Sequence, residues 1–135
     1  MAYRQGTFRA ALQSLEESVD ISRALLEPTM ADVATTAILG AGISRLAATL
    51  AADGDRARAQ ALFAESTSLL ESATVHVQFF ETELAEHYSR SAVAGLGRWA
   101  QAAAQWRAIR DAGRLNPLDR PKLEEAERRA VAERP

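Results

Sequence analysis

The chain has 135 residues, 47% hydrophobic and 25% charged, the balance of one ordinary globular domain with a core of its own. A formal net charge of -2 and a pI near 5.7 exclude a general electrostatic attraction to nucleic acid or anionic lipid, so a partner of that kind would need a local basic patch. The absence of cysteine excludes disulfides, thiolate metal sites and cysteine nucleophiles.

The N-terminal stretch MAYRQGTFRAALQSLEE has no continuous apolar segment of the kind a signal peptide carries. The longest weakly polar run, Val33 to Ile43, is too short to span a bilayer. The chain is therefore expected to be cytoplasmic, without membrane contact.

The apolar positions Phe8, Leu12, Leu15, Val19 and Leu26 follow helical steps and predict a first amphipathic helix, stopped by Glu27-Pro28. Thr29 as N-cap, with Asp32 three residues on, predicts the next start. A second helix, about 30 to 52, carries the stripe Leu39, Ile43, Leu46, Leu50 beside small residues at Ala37, Ala41, Ser44, Ala48 and Ala51. Small residues at helical steps let another helix approach closely, so this element is expected to be central. Asp53-Gly54-Asp55 ends it, with Gly suited to the left-handed terminal conformation and Asp55 to capping the next helix.

The third helix, about 55 to 72, is expected to bury Ala59, Leu62, Phe63, Leu69 and Leu70. Its end at Ser72-Ala73-Thr74 rests on Thr74 as an N-cap alone, since no Gly or Pro stands there. A fourth helix, about 75 to 94, holds Val77, Phe79, Phe80, Leu84, Tyr88 and Val93 and closes at Gly95-Leu96-Gly97. A fifth, about 98 to 112, holds Trp99, Ala102, Ala103, Trp106 and Ile109. Asn116-Pro117 and Pro121 lead into a charged last helix, about 119 to 133, with the few apolar residues of a solvating cap.

One spacing recurs. It reads Gly6, Ala11, Leu15, Ser18; then Gly54-Asp55, Ala59, Phe63, Ser66; then Gly97, Ala102, Trp106, Ile109. Together with the apolar helix Ile43 to Leu50 before the Gly-Asp turn, it resembles the helical hairpin of a tetratricopeptide (TPR) repeat. The glycines stand further apart than the about 34 residues of the standard repeat, and Arg90 stands where the last unit should have a small residue. The resemblance runs from Gly6 to Gly113 and implies a TPR-like hairpin domain over 1–115, with a charged cap over 116–135. The fold class expected is all-α, about six helices in antiparallel hairpins, as a right-handed α-solenoid fragment or a compact bundle. A concave face that binds a protein or peptide helix is what it further implies. In that register the groove is lined by Ala41, Ser44 and Ala48 on one helix and Leu84, His87 and Ser91 on the other, with Ala51 and Ala94 beyond them. These small apolar walls suit a docked helix better than a charged peptide.

The first helix resembles the second half of a hairpin whose partner is missing, because only five residues precede Gly6. Its apolar face needs a cover. Either the fourth or sixth helix supplies it, or two chains cover each other in a homodimer.

Signals for chemistry are weaker. His76, Phe80, Glu83 and His87 share a helical face, and Glu and His one turn apart could serve a metal or acid-base site. Only two His are present, and such a pair is ordinary on a helix surface, so no metal and no catalytic residue is assigned. A ferritin-like di-iron site is excluded by Ala73 and Leu84, which stand where its Glu residues belong. Neither a nucleophile elbow nor a phosphate-binding Gly loop is present, and no cofactor is implied. Arg98, Arg107, Arg110 and Arg114 read as a solvated face with Asp111 among them, and nucleic acid is not expected as a partner.

The reading that follows is a non-catalytic interaction or assembly module that self-associates or docks a partner helix. The alternative is a small-molecule binding or sensor bundle with an aromatic pocket of Phe80, His87, Tyr88, Trp99 and Trp106, although the repeat register already accounts for both Trp as core.

Overall fold

The structure, a computed structural model, describes residues 2–26 and 33–133. These fold into six α-helices with no strand among them: α1 (Ala2–Leu26), α2 (Val33–Ala52), α3 (Arg56–His76), α4 (Glu81–Val93), α5 (Trp99–Asp111) and α6 (Arg120–Ala132). Single 3₁₀ turns at Gln78–Phe80 and Pro117–Asp119 lead into α4 and α6. The chain is all-α, as its periodicity predicts.

The central helix is α2, which packs against α1, α3 and α4. Its single charged residue is Arg45, and over its full length it is long and apolar enough to cross a bilayer, which the run to Ile43 alone is not. Half of that length is buried inside the bundle, and the burial accounts for the apolar composition. Leu39, Ile43, Leu46 and Leu50 form one core with Val19 of α1 and Ala59 and Phe63 of α3. A second core joins Leu84 and Tyr88 of α4, Trp106 and Ile109 of α5, and Leu123 and Ala126 of α6.

Where α2 ends, Gly54 takes a φ of 93°, open to glycine without a steric penalty, and the Asp55 N–H donates to Leu50 O at 2.9 Å. The Asp55 carboxylate then accepts from the Arg58 N–H at 3.3 Å and caps α3, as the Gly-Asp break predicts. α4 ends in the same cap at Gly95, and Arg56 adds a hydrogen bond from Nη1 to Ala94 O at 2.9 Å. One helix start is thus tied to the next helix end.

Several expected boundaries move. The third helix continues to His76, and Thr74 is interior to it, its hydroxyl donating to Leu70 O at 2.7 Å instead of capping a new helix. The break falls at Val77, which is extended (φ -137°, ψ 109°), and the fourth helix starts at Glu81 after its 3₁₀ turn. Neither Gly nor Pro is needed there, because the Val77 N–H still reaches Ala73 O and the Phe80 N–H reaches Val77 O. Gly6 lies inside α1, which begins at Ala2, so it does not form the turn its place in the repeat requires. The caps expected at Thr29 and Asp32 lie outside the described residues.

The middle of the apolar stripe of α1 packs within the chain. Leu12, Leu15 and Val19 pack into the α2–α3 core, Arg23 forms a two-pronged ion pair with Glu65 of α3, and Glu16 pairs with Arg58 at 3.3 Å. For these residues the cover expected from the fourth or sixth helix comes from α2, on which α1 packs, with side-chain contacts to α3. At the other end, α6 shares the core of α4 and α5. The Glu133 carboxylate after α6 accepts from the backbone N–H groups of Trp99 at 2.6 Å and Ala100 at 3.2 Å, capping α5.

At Gly40, α2 packs tightly on α3. A Cβ there would lie 2.9 Å from Leu70 Cγ and 3.2 Å from Leu69 Cβ, and Leu70 is fully buried with no room to yield. Gly40→Ala gains about 1 kcal/mol of helix propensity but overpacks the contact at about 1–3 kcal/mol. A net loss of about 1 kcal/mol is expected in urea denaturation, where a more stable variant would show that the contact has slack.

Candidate functional site

An outward-facing groove runs between α2 and α4. It holds two cavities. One, of about 390 Å³, is lined by Ala48, Ala51 and Ala52 of α2 and by Glu86, Ser89, Arg90 and Val93 of α4, with Ala94 at its end. The other, of about 370 Å³, is lined by Ala37, Ile38, Ala41 and Arg45 of α2 together with Phe79, Phe80, Thr82 and Glu83. Ile38, Phe79 and Val93 are 63%, 82% and 73% exposed, so each cavity is bordered by large apolar side chains that meet water.

Of the eight residues expected along the groove, Ala41, Ala48, Ala51 and Ala94 border these two cavities. Ser44 and His87 are buried between α2 and α4, Leu84 is buried in the core with α5 and α6, and Ser91 is buried near Gly97. The reason is the small residues themselves. They let α2 and α4 close so far that the predicted face becomes the contact, and the rows beside it form the groove walls. Ile38, Arg45 and Val93 were absent from the expected lining. Their signal in the sequence is that they stand out of phase with, or beside, the apolar stripes.

Under the groove lies a polar junction of three helices. The Thr67 hydroxyl donates to Phe63 O at 2.8 Å, so its 2.6 Å contact with His87 Nε2 is one in which the ring N–H donates. The Ser44 hydroxyl accepts from Arg90 Nη1 at 3.1 Å and donates to His87 Nδ1 at 2.9 Å, with Ser66 Oγ 3.2 Å from the same nitrogen. The ring is neutral and fully occupied. Burial, and then the nearby Arg90 guanidinium, lower the His87 pKa from 6.5 to about 4. Both ring nitrogens are bonded and the residue is 0% exposed, so it neither offers a lone pair to a metal nor meets a substrate.

The Glu–His surface pair is also rearranged. His76 belongs to α3, while Glu83 on α4 turns to Arg90 at 3.3 Å and Arg45 at 3.6 Å. Among the described residues no group of three or more His, Asp or Glu could hold a metal ion.

Most of the aromatic set comes together as packed core: Tyr88, Trp106 and Trp99 share one cluster, and the His87 ring lies 5.6 Å from that of Tyr88. Phe80 borders the second cavity with Phe79 edge-on to it at 5.5 Å. Tyr88 and Trp106 are core, with Trp106 Nε1 donating to Ser89 Oγ at 3.2 Å. The Tyr88 hydroxyl donates to Glu71 at 2.6 Å, and burial together with that carboxylate raises its pKa. Trp99 is half-buried at the edge of the core, with the Arg129 guanidinium 5.0 Å above its ring. Of the four expected surface arginines, Arg107 and Arg110 meet Glu127, and Arg114 meets Glu81 at 2.7 Å.

Comparison of the chain with protein-family models, with curated proteins and with solved structures finds no match.

Proposed function

We propose that the protein is a non-catalytic interaction module that docks a partner helix along the α2/α4 groove, whether from another protein or in self-association. The observation that carries this reading is the pair of apolar-walled cavities in line between two helices, bordered by exposed Ile38, Phe79 and Val93. A helix laid into such a groove removes those side chains from water. The order of helix neighbours supports a TPR-like stack: each helix packs on the next, and α2 also packs on α4, its counterpart in the following hairpin. The sensor alternative has its aromatics filling a core, where only Phe80 of the set borders a cavity, and keeps the cavity volumes as its support.

Native mass spectrometry of the protein gently purified from its own cells tests the reading. Bound protein chains are expected, and Val93→Asp, which alters a surface side chain, should release them. A bare chain carrying a small molecule would move the reading to a ligand site.

A further inference from the structure

The groove is apolar at both ends and charged in the middle. Its two apolar ends are separated along α2 from about Ile38 to Ala52, roughly 20 Å at about 1.5 Å per residue. Between them Glu83 Oε1 serves two guanidiniums, Arg90 at 3.3 Å and Arg45 at 3.6 Å. One carboxylate shared by two arginines leaves one positive charge in the floor. At the rim of the other cavity Glu86 is held by Lys122 at 2.5 Å, which also meets Asp119 at 3.2 Å, so the positive surplus is local to Arg45 and Arg90. Arg90 is also committed to Ser44, whereas the Arg45 side chain is 51% exposed with the longer of the two contacts to Glu83. Arg45 is the cation open to an arriving group.

Resting on the helix-docking reading, we infer that the groove takes an amphipathic helix of another protein that carries a carboxylate midway between two apolar turns. A helix places residues i, i+7 and i+14 near one face, which matches apolar anchors about four turns apart with an acid midway between them. The carboxylate forms charge-assisted hydrogen bonds with Arg45 and cancels the surplus charge, while a lysine there meets two guanidiniums. A second copy of this chain is the poorer occupant. Outside the groove itself, the described residues expose Ile21 on α1, Val75 and Val77 at the end of α3, and Leu118 and Val131 at the two ends of α6. Leu118 and Val131 alone are far enough apart, and at about 3.6 residues per turn they fall on opposite sides of the helix, so no described helix offers both ends on one face.

The probe is a fluorescein-labelled 18-residue Ala-based helical peptide with Leu at both end turns and Glu between them on the same face, and a twin with Lys for that Glu. Both are titrated into the full chain by fluorescence anisotropy. The Glu peptide should bind saturably, and the Lys peptide about tenfold more weakly, an effect of about 1.4 kcal/mol. Arg45→Glu should reverse that preference, and Ile38→Asp or Val93→Asp, both at exposed positions, should weaken both peptides alike. Equal binding of the two peptides, still sensitive to Val93→Asp, would overturn the acidic complement and leave helix docking standing. Binding by neither peptide, or binding indifferent to both Asp variants, would overturn the two together.

Discussion

Trp106→Ala is expected to lower the unfolding free energy by about 3–5 kcal/mol, the range for emptying a large aromatic site in a packed core. The ring is 0% exposed and lies where α4, α5 and α6 meet, among Leu84, Tyr88, Ile109 and Leu123. Such a loss is a large share of the roughly 5–15 kcal/mol that holds an ordinary domain folded. The same substitution also removes the indole N–H donor of Ser89 Oγ, whose hydroxyl keeps its own bond to Ala85 O at 3.0 Å. Trp99→Ala should cost much less, about 1–2 kcal/mol, because that ring is half-buried and its guanidinium contact is at the surface. Urea denaturation of the two variants checks the contrast. Equal losses would mean that the two Trp share one environment, as a common pocket wall would require.

Stability should fall by about 3 kcal/mol as the pH is lowered from 6.5 to about 4, through His87 alone. The folded pKa lies below the unfolded one. Between those values the unfolded chain therefore binds the proton that the folded chain refuses, and acid draws the equilibrium towards unfolding. The contribution is complete above pH 6.5 and lost below about pH 4, where both states are protonated. Physically, a protonated ring would need Nδ1 to donate towards Ser44, whose oxygen already accepts from Arg90, and would place two cations together. The charged groups facing the ring are Arg90 and, through it, Glu83 and Arg45. His87→Gln should be less stable at pH 7 and should flatten the curve across this window. Parallel curves for the two proteins between pH 4 and 7 would show that His87 takes up its proton without resistance.

Much of the fold was legible because helical periodicity is a local property. Leu39, Ile43, Leu46 and Leu50 mark a buried face whatever they pack against, and Gly54-Asp55 ends one helix and caps the next by backbone rules that need no partner. The break at Val77 was not legible. It depends on where α4 must turn to reach α2 and α3, and its backbone groups are satisfied without Gly or Pro. Gly40 carried no periodic signal either, although the α2–α3 contact cannot close with a side chain there.

The candidate site shows the same division. An apolar stripe gives the centre of a buried face but not its width, and the width decides which residues are floor and which are wall. Ser44 and His87 became floor because Ala41 and Ala48 allow α2 and α4 to close upon them, leaving Ile38 and Val93 as walls. By itself the sequence determined an all-α chain, its main turns and its core stripes, since these follow from steps of three and four residues. Only the tertiary structure decided the rotation of each helix about its axis. It therefore also decided the neutral state of His87 and the surplus charge at Arg45, because both depend on groups brought together from α2, α3 and α4.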